Sequence, residues 1–251
     1  MVDIHSHILS GLDDGPKTLE ETLAMLRIAA DTGTTDIVAT PHANTSFVFQ
    51  PELIERKLEE VRAAQPPLRV HTGCDFHLTF DNIQDALETP TKYTINHKQY
   101  LLVEFSDLVI FQNSGDVFRR MLERGIRPVI THPERNGLLR QRLETMAGWV
   151  REGCFIQVTA QSLLGRFGRP AQRFVEELVS RGLAHFVASD AHDLNDRTPR
   201  MDAAFRRFEK KFGAVLARRL FVENPRAVIE GNPVEPEMPP PEKKWWIFSR
   251  P

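Results

Sequence analysis

Near the start of the chain the stretch VDIHSHILSGLDDG places His5 and His7 two residues apart, with Asp14 seven further on. Side chains alternate along a strand, so two imidazoles at this spacing share one face and can grip one cation. Residues able to join them recur along the chain: His42 in TPHAN, Asp75 closing VHTGCD, Glu104 closing LLVEF, His132 in VITHPER, and Asp190 with His192 in VASDAH. Five histidines and four carboxylates exceed what a single ion uses, so more than one metal is implied. With no thiolate among them the donors suit Mn, Fe, Zn or Mg. Closely spaced ions sharing a carboxylate activate water and stabilise both the attacking and the leaving oxygen in phosphoester hydrolysis. Arg135 in HPERN and Arg197 in DLNDRTP follow proposed ligands by a few residues, where a planar guanidinium holds phosphate oxygens bidentately. The structural alternative pairs them with Glu134 and Asp196.

Thiol chemistry is a poor competitor. A cysteine phosphatase loop needs an arginine six positions after its nucleophile, and after Cys74 and Cys154 those positions hold Phe80 and Ala160. Both cysteines lie in apolar stretches and read as buried thiols of a reducing compartment. A formal net charge of −2 gives no basic face for nucleic acid. No apolar run reaches the roughly 20 residues that span a bilayer, and the first strand begins at once, so a cytoplasmic protein is expected.

Elements must carry these residues to one place. The segment 2–6 reads as a buried strand, and Thr18-Leu19-Glu20-Glu21 as a capping box opening a helix with Leu19, Leu23, Leu26 and Ala30 on one face. A second helix starts at Pro51 with Ile54, Leu58 and Val61 aligned. Strands are expected at 2–6, 35–40, 69–75, 100–105, 127–132, 154–159 and 185–189, nearly all parallel because helix-length crossovers separate them. Seven βα units suggest a distorted barrel, with an open doubly wound sheet as the alternative. Nearly every strand ends in a potential ligand, and in a barrel those ends converge on the face where active sites form.

The ordered series DIHSH, DDG, ATPH, LLVEF, ITHPER, VASDAH and ENP resembles the PHP (polymerase and histidinol phosphatase) superfamily. Within it the series is most similar to the manganese-dependent tyrosine-protein phosphatases of bacterial capsule and exopolysaccharide biosynthesis. The resemblance implies a PHP-type distorted (β/α)7 barrel over residues 1–231, with three ions, Mn²⁺ foremost, at the carboxyl ends of the strands. It implies one ion on His5, His7, Asp75 and Asp190, a second on Asp75, Glu104 and His132, and a third on Asp14, His42 and His192. Arg135 and Arg197 would hold substrate phosphate, and metal-bound hydroxide would attack the phosphorus of a phosphotyrosine protein such as a kinase tail. Where the family commonly has Glu this chain has Asp75, one methylene shorter, and His77 two residues on is a possible assistant or a surface imidazole. A histidinol phosphate or nucleotide phosphatase is the rival enzyme, and a metal-stabilised scaffold the rival of another class. Residues 232–251, rich in proline, read as a tail whose Lys243-Lys244-Trp245-Trp246-Ile247-Phe248 end suits a subunit, partner or membrane-surface contact, or a loosely packed terminus.

Overall fold

The computed structural model describes residues 1–234, so the basic-aromatic end of the tail lies outside the described residues. The chain opens on β1 (Val2–Ser6), buried at every position. Then comes α1 (Leu19–Asp31), whose capping box forms as read: Thr18 Oγ1 accepts from the Glu21 N–H at 3.3 Å and the Glu21 carboxylate from the Thr18 N–H at 3.4 Å. Its buried stripe is Thr22, Met25, Leu26 and Ala29, while Leu19, Leu23 and Ala30 of the expected face are only partly buried against the same cluster. The next elements are β2 (Asp36–Ala39), β3 (His42–Ala43) and α2 (Pro51–Ala63), the last burying Ile54, Leu58 and Val61 as its spacing predicts.

There follow β4 (Arg69–Thr72), β5 (Asp75–His77), α3 (Phe80–Glu88), β6 (Tyr100–Glu104), α4 (Ser114–Glu123), β7 (Arg127–Thr131), α5 (Leu143–Arg151) and β8 (Phe155–Thr159). The short α6 (Ala160–Leu163), α7 (Gly168–Ser180), β9 (Phe186–Ala188), α8 (Asp202–Phe212), α9 (Ala214–Arg218) and α10 (Asn224–Glu230) complete the strands and α-helices among the described residues, with 3-10 turns at Ile95–His97 and Leu139–Gln141 and a π-helical segment at Arg219–Glu223.

All seven expected strand regions are present, and two are interrupted. The 35–40 region continues past Pro41, which has no N–H to give a ladder, as β3. The 69–75 region breaks at Gly73, where a Cβ would lie 3.0 Å from Val38 Cγ1, and resumes as β5. Asp75 therefore opens a strand rather than closing one. The breaks divide the ladder into a sheet of order β1-β2-β4 and another of order β3-β5-β6-β7-β8-β9, parallel throughout. Further backbone bonds tie their ends: Thr40 N–H to Ser6 O at 2.8 Å, Asp190 N–H to His5 O at 2.9 Å and His7 N–H to Ala191 O at 2.8 Å.

Parallel strands covered on both faces must be apolar on both. On one side Val2, Ile4, Val38, Tyr100, Leu102, Val129, Phe155 and Phe186 form a cluster that Ile95, Val228, Ile229 and Val234 close off. On the other, Leu101, Val103, Ile130, Ile156 and Val187 pack against helix residues such as Phe118, Met121, Trp149, Phe174 and Leu178. Each such side chain contributes about 1.5–3 kcal/mol by leaving water. Tyr100 keeps its hydroxyl satisfied, donating to Asn232 O and accepting from the Val234 N–H, both at 2.9 Å, which fastens residues 232–234 to β6. Among the described residues no helix is long and apolar enough to cross a membrane.

Candidate metal centre

The end of β1 sets the first two imidazoles. His5 Nδ1 lies 2.9 Å from Gln157 Oε1 of β8, and His7 Nδ1 lies 2.7 Å from Asp13 Oδ2. The oxygen acceptor at Nδ1 keeps a ring proton there, so that each Nε2, which the buried carboxylates hold protonated in the absence of a cation, turns inward and offers its lone pair once a metal displaces that proton. The two Nε2 atoms are 3.3 Å apart. Asp13 is itself held by the N–H groups of Gly15 at 3.0 Å and His42 at 3.1 Å. Gly15 has no alternative here, because a Cβ would fall 2.3 Å from His7 O.

Asp75 and Asp190 meet these imidazoles in the interior. Asp75 Oδ2 is 3.5 Å from His5 Nε2, 3.9 Å from His7 Nε2 and 3.2 Å from His42 Nδ1. Asp190 Oδ1 is 3.4 Å from His5 Nε2 and 3.5 Å from His7 Nε2. Toward the surface, Asp14 Oδ1 faces His42 Nε2 at 3.5 Å and His192 Nε2 at 3.3 Å. Glu104 Oε1 is 3.6 Å from His132 Nε2, and its Oε2 is 3.6 Å from His42 Nδ1 and in contact with His77 Nε2. His132 and Asp190 both follow their strands with left-handed backbones, φ +33° and +52°, a conformation uncommon outside glycine that His and Asp adopt more readily than most residues.

All nine residues expected as ligands are thus brought together. Their donor atoms form groups within 4.8 Å: His7, Asp14, His42 and His192; His5, His7 and Asp75; Asp75, Glu104 and His132. His132 also groups with His5 and Asp190, a proximity not anticipated, and His77 with His42 and Glu104.

The arginines are placed differently from either pairing considered in the sequence. Glu134 is buried and accepts instead from the Thr159 N–H at 2.9 Å and the Ser162 hydroxyl at 2.7 Å. Both guanidiniums converge on Asp190 Oδ2, Arg197 Nη2 at 2.6 Å and Arg135 Nη1 in close contact. Arg135 also lies 4.5 Å over the Phe167 ring, and Arg197 Nε is buried without a hydrogen bond. Asp193 shapes the loop between, accepting from the N–H groups of Asn195 at 2.7 Å and Asp196 at 2.6 Å.

Charge is arranged accordingly. Burial alone would push the Asp75 and Asp190 carboxyls up, yet the His5 charge with His42 and Arg135 nearby holds both well below the usual carboxylate range. Burial, reinforced by Arg135, keeps His132 neutral, the form that ligates a metal. Burial opposes charge on His42, but Asp14, Asp75 and Glu104 overcome it and raise its pKa to about 11. A divalent ion competes with such a proton for the same carboxylates.

The residues fit metal ions on a direct observation: both Asp75 oxygens, His42 Nδ1 and His192 Nε2 are buried and make no hydrogen bond. Leaving an ionised carboxylate dry and unbonded is costly unless cations compensate it. Sequence reasoning missed Asp13 and the orienting role of Gln157. The first had a signal in the doubled aspartate of DDG; the second, a glutamine inside a strand, had none.

Several clefts border this centre: one of about 290 Å³ is lined by Asp14, Lys17, His192 and Asn195 among others, and two more lie along Glu104 and His77. One of these two, of about 220 Å³, is lined by Glu104, Phe105, His132, Arg135, Leu139 and Phe167 among others. The other, of about 570 Å³, runs from His77 past Ser106 to Phe80, Val109 and Phe111, and shares Phe105 with the cleft along Glu104.

Residues 1–230 match the family model described as capsular polysaccharide synthesis, CpsB/CapC. The tyrosine-protein phosphatase YwqE of Bacillus subtilis is 30% identical over 99% of this chain and 99% of its own. The tyrosine-protein phosphatase CpsB of Streptococcus agalactiae serotype V is 31% identical over 92% of this chain and 99% of its own. Among solved structures, a chain from the work on YwqE of Bacillus subtilis and CpsB of Streptococcus pneumoniae, described as metal-dependent tyrosine phosphatases, superposes with a TM-score of 0.87 at 31% identity. It covers 96% of this chain, which in turn covers 99% of it.

Proposed function

The chain belongs to the CpsB/CapC family of capsular polysaccharide synthesis proteins, and from that premise we propose that it is a metal-dependent protein-tyrosine phosphatase. The observation that carries the reading is the convergence of nine ligand-type side chains, two carboxylate oxygens among them bare, with Arg135 and Arg197 both drawn to Asp190 beside them. We assign three ions, with Mn²⁺ foremost, to His5, His7, Asp75 and Asp190; to Asp75, Glu104 and His132; and to Asp14, His42 and His192. Bound there, divalent ions supply an acidified water and positive charge for the transferred phosphoryl group.

The protein's own residues do the rest. Asp13 and Gln157 hold His7 and His5 with Nε2 inward. Arg135 and Arg197, at the mouth, bind the phosphate oxygens and offset charge as it spreads over them. The Arg197 Nε proton, without a partner, is a donor in hand for this. A tyrosinate, with a pKa of about 10, departs without a general acid. Neither thiol is suited to attack: both cysteines are buried and free, and burial pushes their pKa values far up.

The substrate we infer is a phosphotyrosine-bearing protein segment, such as a kinase tail, because the mouth is open and apolar residues stand along its rim. Phe80 is 79% exposed and Leu108 91%, with Val109 and Phe111 beside them. We further infer that the two sheets close as one distorted seven-position barrel over residues 1–231. In support, β3 and β5 resume β2 and β4, and a parallel bridge joins Ser6 to Ala191.

The test is hydrolysis of a phosphotyrosine peptide, histidinol phosphate and a nucleotide side by side. Chelation should abolish peptide hydrolysis and Mn²⁺ restore it, with Cys74→Ser/Cys154→Ser within a few-fold of wild type in the same assay. A preference for either small ester, or loss of turnover in the double variant with its metal retained, overturns the reading.

A further inference from the structure

His77 is a charged-site residue that the nine-ligand scheme does not use. It sits on β5 two residues after Asp75, so the alternation that pairs His5 with His7 also turns His77 and Asp75 to one face, while Phe76 between them is wholly buried in the core. The centre thus takes two such pairs, His5 with His7 and Asp75 with His77, besides Asp190 and His192 in the segment after β9.

The ring is aimed. His77 Nε2 contacts Glu104 Oε2, the oxygen turned away from His132, and His42 Nδ1 faces that same oxygen at 3.6 Å without a hydrogen bond of its own. The three donors lie within 4.8 Å of one another. Two atoms that each sit about 2.0–2.2 Å from one ion are at most about 4.4 Å apart, a limit that His42 Nδ1 and Glu104 Oε2 meet at 3.6 Å. Only about a quarter of the side chain is exposed, and the wide groove begins at its edge, which keeps the position reachable.

We propose that His77 is a tenth metal ligand, its Nε2 sharing a divalent cation with Glu104 Oε2. The assignment rests on the metal reading above and adds a ligand to it. It gives the ion on Glu104 a nitrogen from β5, the strand whose Asp75 has a short reach.

Metal content measures this independently of turnover. The full chain is stripped with chelator, dialysed against buffered Mn²⁺ and analysed for ions per chain, as wild type, His77→Ala and His77→Gln. Thermal unfolding of the stripped chains confirms that each variant folds. Both variants should hold one ion fewer at free Mn²⁺ that saturates wild type, with that site weakened about 10-fold or more. In Co²⁺-loaded chains the visible absorption should change in both. Glutamine is the decisive arm, because its amide can still donate to Glu104. Wild-type metal retention in His77→Gln would mean that His77 only positions the carboxylate, and equal loading in His77→Ala would remove it from the site; either overturns the assignment alone. A wild-type chain that takes up no ion overturns the metal reading itself, and this assignment with it.

Discussion

Asp190 presents one oxygen to His5 and His7 and the other to Arg135 and Arg197, so the arginines proposed to bind phosphate and the proposed metal ligands share a carboxylate. Arg135→Ala and Arg197→Ala should each lower kcat/KM about 10²-fold or more, the usual worth of a donor aimed at developing charge. Metal content should hold, because Asp190 keeps its His5 and His7 face. Ion analysis beside the kinetics checks this, and loss of metal in either variant would make the arginine a support of Asp190 instead of a phosphate binder. At this scale the sequence was unusually legible. His, Asp and Glu at strand ends have few other reasons to recur, and all nine converge. What escaped was orientation: Asp13 and Gln157 act through the far nitrogens of His7 and His5, and nothing in residue type marks a group that touches a ligand rather than the ion. The arginine partners escaped too, since Glu134 and Asp196 are neighbours in sequence while Asp190 is a neighbour in space.

Elements were legible to the extent that periodicity governs them. The capping box of α1 and the Pro51 start of α2 are local chemistry and formed as read, whereas the buried stripe of α1 shifted because the packing cluster, not the helix, decides which residues lead. The breaks at Pro41 and Gly73 depend on contacts between strands, which no single strand's sequence carries. A testable consequence at this scale lies where β8 meets β9. His185 donates its N–H to Ile156 O at 2.9 Å, and its Nδ1 accepts from the Ile156 N–H at 3.1 Å. Its ring is packed edge-on to Phe155, and burial lowers its pKa from the ordinary 6.5 to about 4. Between those values the unfolded chain binds a proton that the folded chain refuses. Stability is therefore full above pH 6.5 and falls as the pH drops toward 4, by about 3 kcal/mol for a depression of this size. His185→Gln keeps an acceptor for the Ile156 N–H and does not titrate. Urea unfolding of metal-stripped wild type and variant at pH 7.5, 5.5 and 4.5 should show the wild type losing stability faster by roughly that amount, whereas parallel losses would mean that the ring is protonated in place.

For the molecule as a whole, the βα rhythm announced a parallel fold, but the rim of the cleft could not be read from it. Val48, Leu108, Val109 and Phe111 come from the loops after β3 and β6 and Phe80 from the start of α3, and they share no period in the sequence. Only folding makes them neighbours of the metal centre. Their exposure has a cost in solubility that a deep metabolite pocket would not impose, and a net charge of −2 offers little long-range attraction to draw a charged tail in. We therefore propose that apolar contact along the groove holds a protein segment while its phosphotyrosine enters. Phe80, at the start of α3, and Val109, in the loop after β6, line the 570 Å³ groove, and both are exposed enough to change without disturbing the core. Phe80→Ser/Val109→Ser should leave hydrolysis of p-nitrophenyl phosphate unchanged, because that ester ends where the groove begins. For a phosphotyrosine peptide with apolar flanking residues, kcat/KM should fall about 10-fold, the equivalent of roughly 1.4 kcal/mol of lost apolar contact. The loss should appear in KM, since the groove holds peptide before and during reaction alike. A variant that slows both substrates equally would place these side chains in support of the site, and one that slows neither would send the peptide along the Arg135 and Phe167 side of the mouth instead.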